Sequence, residues 1–130
     1  MNKFLTALAL LLPFALTGIV LSFVNPIFPL IAESRQAPPI VQGLFFSLCA
    51  IPQVFVFTYL PAMERKCGVK NSFLLHILFC AFSILALSAL HYIHSTLLFS
   101  VWSIFFRVIS GFGDAGIMYQ YRTLIKRLLP

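Results

Sequence analysis

Two ionisable residues, Arg107 and Asp114, stand inside the last apolar stretch of the chain, with Gly111 between them. A spacing of seven residues is close to two helical turns, so in a helix both side chains and Gly111 share one face. A charge at the centre of a bilayer costs roughly 2.5 to 3.5 kcal/mol on insertion scales, so such a face turns toward protein or water and away from lipid. Two kinds of chemistry fit. The face lines a transport path, with Asp114 taking up a proton or attracting a cationic solute and Arg107 acting on that acid. Alternatively the two form a structural ion pair, or Asp114 snorkels toward the nearer membrane surface.

Other groups narrow the choice. Asn25, beside Pro26, offers a polar group where prolines interrupt the hydrogen-bonding ladder of the first apolar run, and the same prolines equally well only kink it. His91 and His94 are spaced i, i+3 but have no third ligand near in sequence, so no metal site is expected. Cys49, Cys67 and Cys80 form no CxxC, and two of them lie in apolar runs where a thiol behaves as a small hydrophobe. Gly111-Phe112-Gly113-Asp114-Ala115-Gly116 satisfies GxGxxG, but a dinucleotide fingerprint needs a preceding strand and a βαβ unit. In a membrane helix Gly111, Gly113 and Gly116 are read as packing positions that let another helix approach. The chain holds only three acids, Glu33, Glu64 and Asp114, separated by long apolar runs. No nucleophile, base and orienting group can be assembled from them, so neither an enzyme nor a cofactor is expected.

The elements that position these residues follow from composition. The 130 residues are 61% hydrophobic and 9% charged, with 15 Phe and a mean hydropathy of +1.01. A soluble domain carries about 25% charged residues, so the excess apolar surface must face lipid. Four runs follow, at about 4–32, 40–60, 72–92 and 96–121, each near the ~20 residues needed to span a bilayer. Hydrocarbon leaves backbone groups no partner but their own helix, so an all-α polytopic membrane protein of about four spans is expected. The first run overshoots the apolar region of a cleavable signal peptide.

Charge sets the expected orientation. With the N-terminus inside, one side collects Lys3, Arg65, Lys66, Lys70, Arg122, Lys126 and Arg127, and the other only Arg35. Both termini are therefore expected in the cytosol. The formal net charge of +6 is read as topology, not as a nucleic-acid footprint, because no basic stripe interleaved with aromatics is present.

With its helix order, Pro26 and Pro29 in the first run, Gly43 early in the second, and the segment Arg107-Val108-Ile109-Ser110-Gly111-Phe112-Gly113, the chain resembles the N-terminal part of a major facilitator superfamily transporter. The fourth-run motif is most similar to that of the drug:proton antiporter and vesicular amine transporter branches. Between the second and third runs the family places a Gly-x-x-x-Asp-basic-x-Gly signature. Gly68, Lys66 and Lys70 match it, whereas Pro61 replaces its first Gly and Arg65 its Asp. The resemblance implies secondary active, proton-coupled transport of small organic solutes, cationic ones among them. It also implies that Arg65, Lys66, Gly68 and Lys70 form a cytoplasmic gating loop. Such transporters have two six-helix halves, so the chain is expected either to be a fragment or truncated form of one, part of its six-helix N-terminal bundle, or to work as an oligomer or accessory subunit. Its expected partners are the bilayer, a solute, protons, and further transporter helices or a second copy. The alternative is a non-transporting membrane protein that pairs through the glycines of its fourth helix.

Overall fold

The computed structural model describes residues 3–128, with side chains at Leu8 and from Leu11 to Lys126. Lys3 and Arg127, counted above for orientation, therefore have side chains outside the described set. The elements are α1 (Lys3–Ser34), α2 (Pro39–Ser47), α3 (Ala50–Cys67), α4 (Val69–Ser88), a 3-10 turn (Ala89–Tyr92) and α5 (Thr96–Leu128). Among the described residues there is no strand.

Four stretches are long and apolar enough to cross a membrane: Leu11–Ser34, Pro39–Cys67, Val69–Tyr92 and Thr96–Lys126. Their outward surfaces carry Leu12, Phe23, Leu30, Phe55, Leu78 and Leu97, all well exposed. In water that surface would aggregate, and in hydrocarbon it needs no cover. The chain is an all-α, multi-pass membrane protein.

Three boundaries differ from the hydropathy reading. The second span is not one helix: α2 and α3 are separated at Leu48 and Cys49, whose backbones stay right-handed, at φ −70°, ψ −16° and φ −67°, ψ −20°. Pro52 explains the break, since it has no N–H for the Leu48 carbonyl and its ring crowds that group. The basic segment expected as a loop between the second and third spans is almost wholly helical. Arg65 and Lys66 form the last turn of α3, Lys70 the first turn of α4, and only Gly68 lies between. Cations at a helix C-terminus complement its dipole, which favours continuing α3 beyond the hydrocarbon. At the far end α5 runs past 121, to Leu128. By contrast α1 is continuous through Pro13, Pro26 and Pro29, so the prolines do not divide it.

The helix α5 is the centre of the bundle, packed chiefly on α4 and α3 and less on α1 and α2. One apolar cluster, Phe28, Ala32, Ala37, Val41, Phe45, Leu90 and Phe99, lies at the end where α1 finishes and α5 begins. Within it the Phe28 and Phe45 rings stack with centroids 3.5 Å apart. A second cluster, Val56, Leu60, Met63 and Ala115, sits toward the other end beside Tyr119. Between them the α4–α5 interface is polar, and the candidate site is there.

Candidate functional site

On α4, Ser72, His76, Cys80 and Ser83 are all buried. Steps of four, four and three residues keep them on one stripe of the helix. From α5, Asp114 and Gln120 bond to this stripe, and Ser103, Arg107 and Ser110 are buried on the same helix, with Arg107 against Phe45 of α2. Of the five only Asp114 is more than slightly exposed. These side chains form a polar seam along the helix pair, inside a chain that is otherwise greasy.

The seam is held by specific bonds. Asp114 accepts from the Cys80 thiol at Oδ1, 3.3 Å, and from the Ser110 hydroxyl at Oδ2, 3.2 Å. Gln120 Nε2 donates to Ser72 Oγ at 2.7 Å, joining α5 to α4 nearer the basic end. His76 Nδ1 lies 2.7 Å from the Ser72 carbonyl oxygen. A carbonyl only accepts, so Nδ1 carries the hydrogen and the Nε2 lone pair of the neutral ring is left for another donor. Toward the other end Trp102 Nε1 donates to the Ala86 carbonyl at 3.0 Å.

Glycines make this approach possible. A Cβ on Gly113 would stand 2.5 Å from Cys80 Sγ, and one on Gly116 would overlap the His76 ring. A Cβ on Gly111 would come within 2.7 Å of the Cys49 carbonyl oxygen, at the break between α2 and α3. The face expected to meet a partner chain through Gly111, Gly113 and Gly116 is thus filled by α3 and α4 of the same chain. Two copies could pair there only by displacing those helices.

Arg107 and Asp114 both turn inward from α5, but they are not joined. Arg107 is 5% exposed, its guanidinium carbon lies 4.9 Å from the Phe45 ring centroid, and its Nε and Nη1 are buried without a hydrogen-bond partner. The aromatic face supplies attraction to the cation but no acceptor for those two N–H groups. No protein-family profile, curated protein or solved structure matches this chain. The chemistry of the seam is therefore read from its own geometry.

The remaining expected residues stand apart from the seam. Asn25 is exposed on α1, which fully buries only Phe28 and Ala32 among its described side chains. The structure does not bring it to Arg107 or Asp114. Arg65, Lys66 and Lys70 are exposed around Gly68, and Arg65 shares a groove of about 290 Å³ with Glu64, Tyr119 and Thr123. Glu64 Oε1 and Gln120 Oε1 are each buried without a partner. Two further grooves are apolar, one running from Phe23 to Leu90 over Phe28 and Phe45, the other from Leu12 to Ile117 past Cys80.

His76, Ser72 and the thiol of Cys80 were not singled out by sequence reasoning as site residues. Their signal was the stripe itself, polar or small residues at helical spacing in an apolar run. Charge in hydrocarbon is conspicuous, whereas a serine or cysteine there becomes informative only once its neighbour is known.

Proposed function

We propose that this chain takes part in secondary active transport of small organic solutes, coupled to proton movement, within a larger helical bundle of the facilitator type. The observation that carries the reading is the unpaired guanidinium of Arg107, buried in a membrane helix two turns from the hydrogen-bonded carboxyl of Asp114. Ionisable groups at that depth are costly and mark ion and substrate paths. Ser110 and Cys80 hold the Asp114 carboxyl in place, and His76, whose Nδ1 is engaged by the Ser72 carbonyl, adds a second proton-binding group on the same seam through Nε2. The resemblance of Arg107 to Gly113 to the facilitator motif points the same way.

In this conformation Phe45 covers Arg107 and α4 packs directly on α5, so the seam is closed. Transport then requires α5 to move against α2 and α4, uncovering Arg107 and Asp114 to one side at a time. The solute path is completed by further helices, from the same polypeptide or from a second copy. Orientation with both termini in the cytosol belongs to this reading and rests on the placement of Lys and Arg.

The test is uptake of a fluorescent organic cation into proteoliposomes under an imposed pH gradient, with internal pH followed by a trapped dye. Uptake driven by the gradient and abolished in both Arg107→Ala and Asp114→Asn is the expected result. Full activity in both variants, or no gradient-driven uptake when the chain is reconstituted together with the helices that complete the path, would contradict the proposal. The rival reading, a membrane protein pairing through its glycines, is not favoured by any contact, since those glycines are already covered.

A further inference from the structure

Where the second and fourth spans end and the third begins, α3, α4 and α5 wall a groove of about 290 Å³ lined by Pro61, Glu64, Arg65, Val69, Tyr119 and Thr123. Tyr119 also packs on the apolar cluster of Val56, Leu60, Met63 and Ala115. One side of the groove therefore meets the bundle's apolar core, while its other residues stand among the basic helix ends. That is the depth of lipid headgroups, where membrane proteins concentrate tyrosines. Unlike the two grooves that border α1, whose walls are almost wholly apolar, this one is polar.

Two demands meet there. The first is charge. Arg65 is on the wall, Lys70 follows Val69, and Arg122 and Lys126 lie three residues beyond Tyr119 and Thr123, on the same face of α5. These four cations are exposed and stand against one acid, Glu64, so the groove favours an anion. The second is a buried acceptor. Glu64 Oε1 has no hydrogen-bond partner, and an acceptor buried empty carries the cost of its desolvation uncompensated. A bare anion answers the first demand and opposes the Glu64 carboxyl. An amine answers the second but sits among four cations. An anion that also carries neutral hydroxyl groups answers both.

We propose that this groove binds the headgroup of an anionic phospholipid that bears free hydroxyls, as phosphatidylglycerol and phosphatidylinositol do. Arg65 takes the phosphodiester oxygens, for which a guanidinium offers paired donors. Arg122 and Lys126 add to the attraction from α5, and a headgroup hydroxyl donates to Glu64 Oε1. The acyl chains remain in the bilayer, which is why a lipid and not a soluble polyol phosphate is the ligand. Occupancy ties the end of α3 to α5 across the joint at Gly68. The groove is separate from the seam, so the proposal does not depend on the transport reading.

Native mass spectrometry of the purified chain in neutral detergent, titrated with lipids of identical acyl chains, tests it. Phosphatidylmethanol has the charge of phosphatidylglycerol and no hydroxyl, so comparing the two on the wild-type chain isolates the Glu64 contact without any variant. Phosphatidylglycerol should bind about tenfold more tightly, the worth of one hydrogen bond to a charged group. Phosphatidylethanolamine and phosphatidylcholine should bind more weakly still. Glu64→Ala should bind phosphatidylglycerol and phosphatidylmethanol alike. Arg65→Gln should lower phosphatidylglycerol binding about fivefold. Lys66→Gln removes the same charge from a residue off the groove's walls, and through screening solvent should lower it by about twofold or less. Equal wild-type binding of phosphatidylglycerol and phosphatidylmethanol would overturn the proposal, as would a preference for either neutral lipid. So would discrimination that survives in Glu64→Ala, or equal losses in Arg65→Gln and Lys66→Gln, which would mean diffuse attraction to a basic surface. Displacement of the lipid by an equal concentration of glycerol 3-phosphate would assign the groove to a soluble polyol phosphate instead.

Discussion

Arg107 separates a structural role from a functional one. Its Nε and Nη1 have no acceptor, so the side chain carries a desolvation penalty that no ion pair offsets. Replacing it with Met, similar in length and apolar, should leave the unfolding free energy between unchanged and about 3 kcal/mol higher. SDS titration of the purified protein would measure this. Proton-driven uptake should be lost in the same variant. An Arg107→Met protein that unfolds more easily would assign the guanidinium to the scaffold. The glycines give the opposite prediction. Gly116→Ala drives a methyl into the His76 ring and Gly113→Ala drives one against Cys80, so each should cost about 1 to 3 kcal/mol or more by overpacking. Gly43→Ala, whose new methyl meets nothing within 4 Å, is the control and should be neutral or stabilising by up to about 1 kcal/mol. Equal effects at Gly116 and Gly43 would mean that α4 and α5 do not approach as described.

At this scale the sequence was legible where charge was out of place. Arg107 and Asp114 stand out in an apolar run, and their spacing alone sets both on one face of α5. That Asp114 bonds Cys80 and Ser110 rather than Arg107 depends on where α4 lies, which no spacing along α5 contains. Asn25, a path candidate beside prolines that equally well only kink the helix, is exposed on α1.

At the scale of elements, hydropathy located all four spans because the solvent forces a helix wherever hydrocarbon surrounds the backbone. It did not locate their ends, because a helix does not stop at the membrane surface. Glu64 to Cys67 and Lys70 to Ser72 are polar or small enough to read as a loop, yet they continue α3 and start α4. Nor did hydropathy register the break at Leu48 and Cys49, since Pro52, which causes it, lies between Ile51 and Gln53 within a run that is apolar on average. The joint at Gly68 carries the consequence. With φ +80° and ψ 153° it occupies a region closed to other residues, and nothing lies within 4 Å of a Cβ built there. Gly68→Ala should therefore destabilise by about 1 to 3 kcal/mol through backbone strain alone. Thermal unfolding in detergent would check it, and an unchanged midpoint would show that α3 and α4 are joined less tightly.

For the whole molecule, the arrangement places opposite ends of the bundle in different surroundings. Gln120 bonds Ser72 and Tyr121 stacks on Phe14 at 4.6 Å, so the C-terminal part of α5 lies with the start of α4 and the early part of α1. Arg65, Lys66, Lys70, Arg122 and Lys126 gather there, while Arg35, His91 and His94 meet at the other end. Four membrane crossings are what this separation of charge requires. The most direct measurement is labelling of single cysteines, introduced by Lys66→Cys, Lys126→Cys or Arg35→Cys with the native Cys49, Cys67 and Cys80 replaced by Ser, in sealed vesicles using an impermeant maleimide. Positions 66 and 126 should react from one side and position 35 only from the other. Reaction of positions 66 and 126 from opposite sides, or of all three from the same side, would contradict the four-span bundle on which the seam and the proposed transport depend.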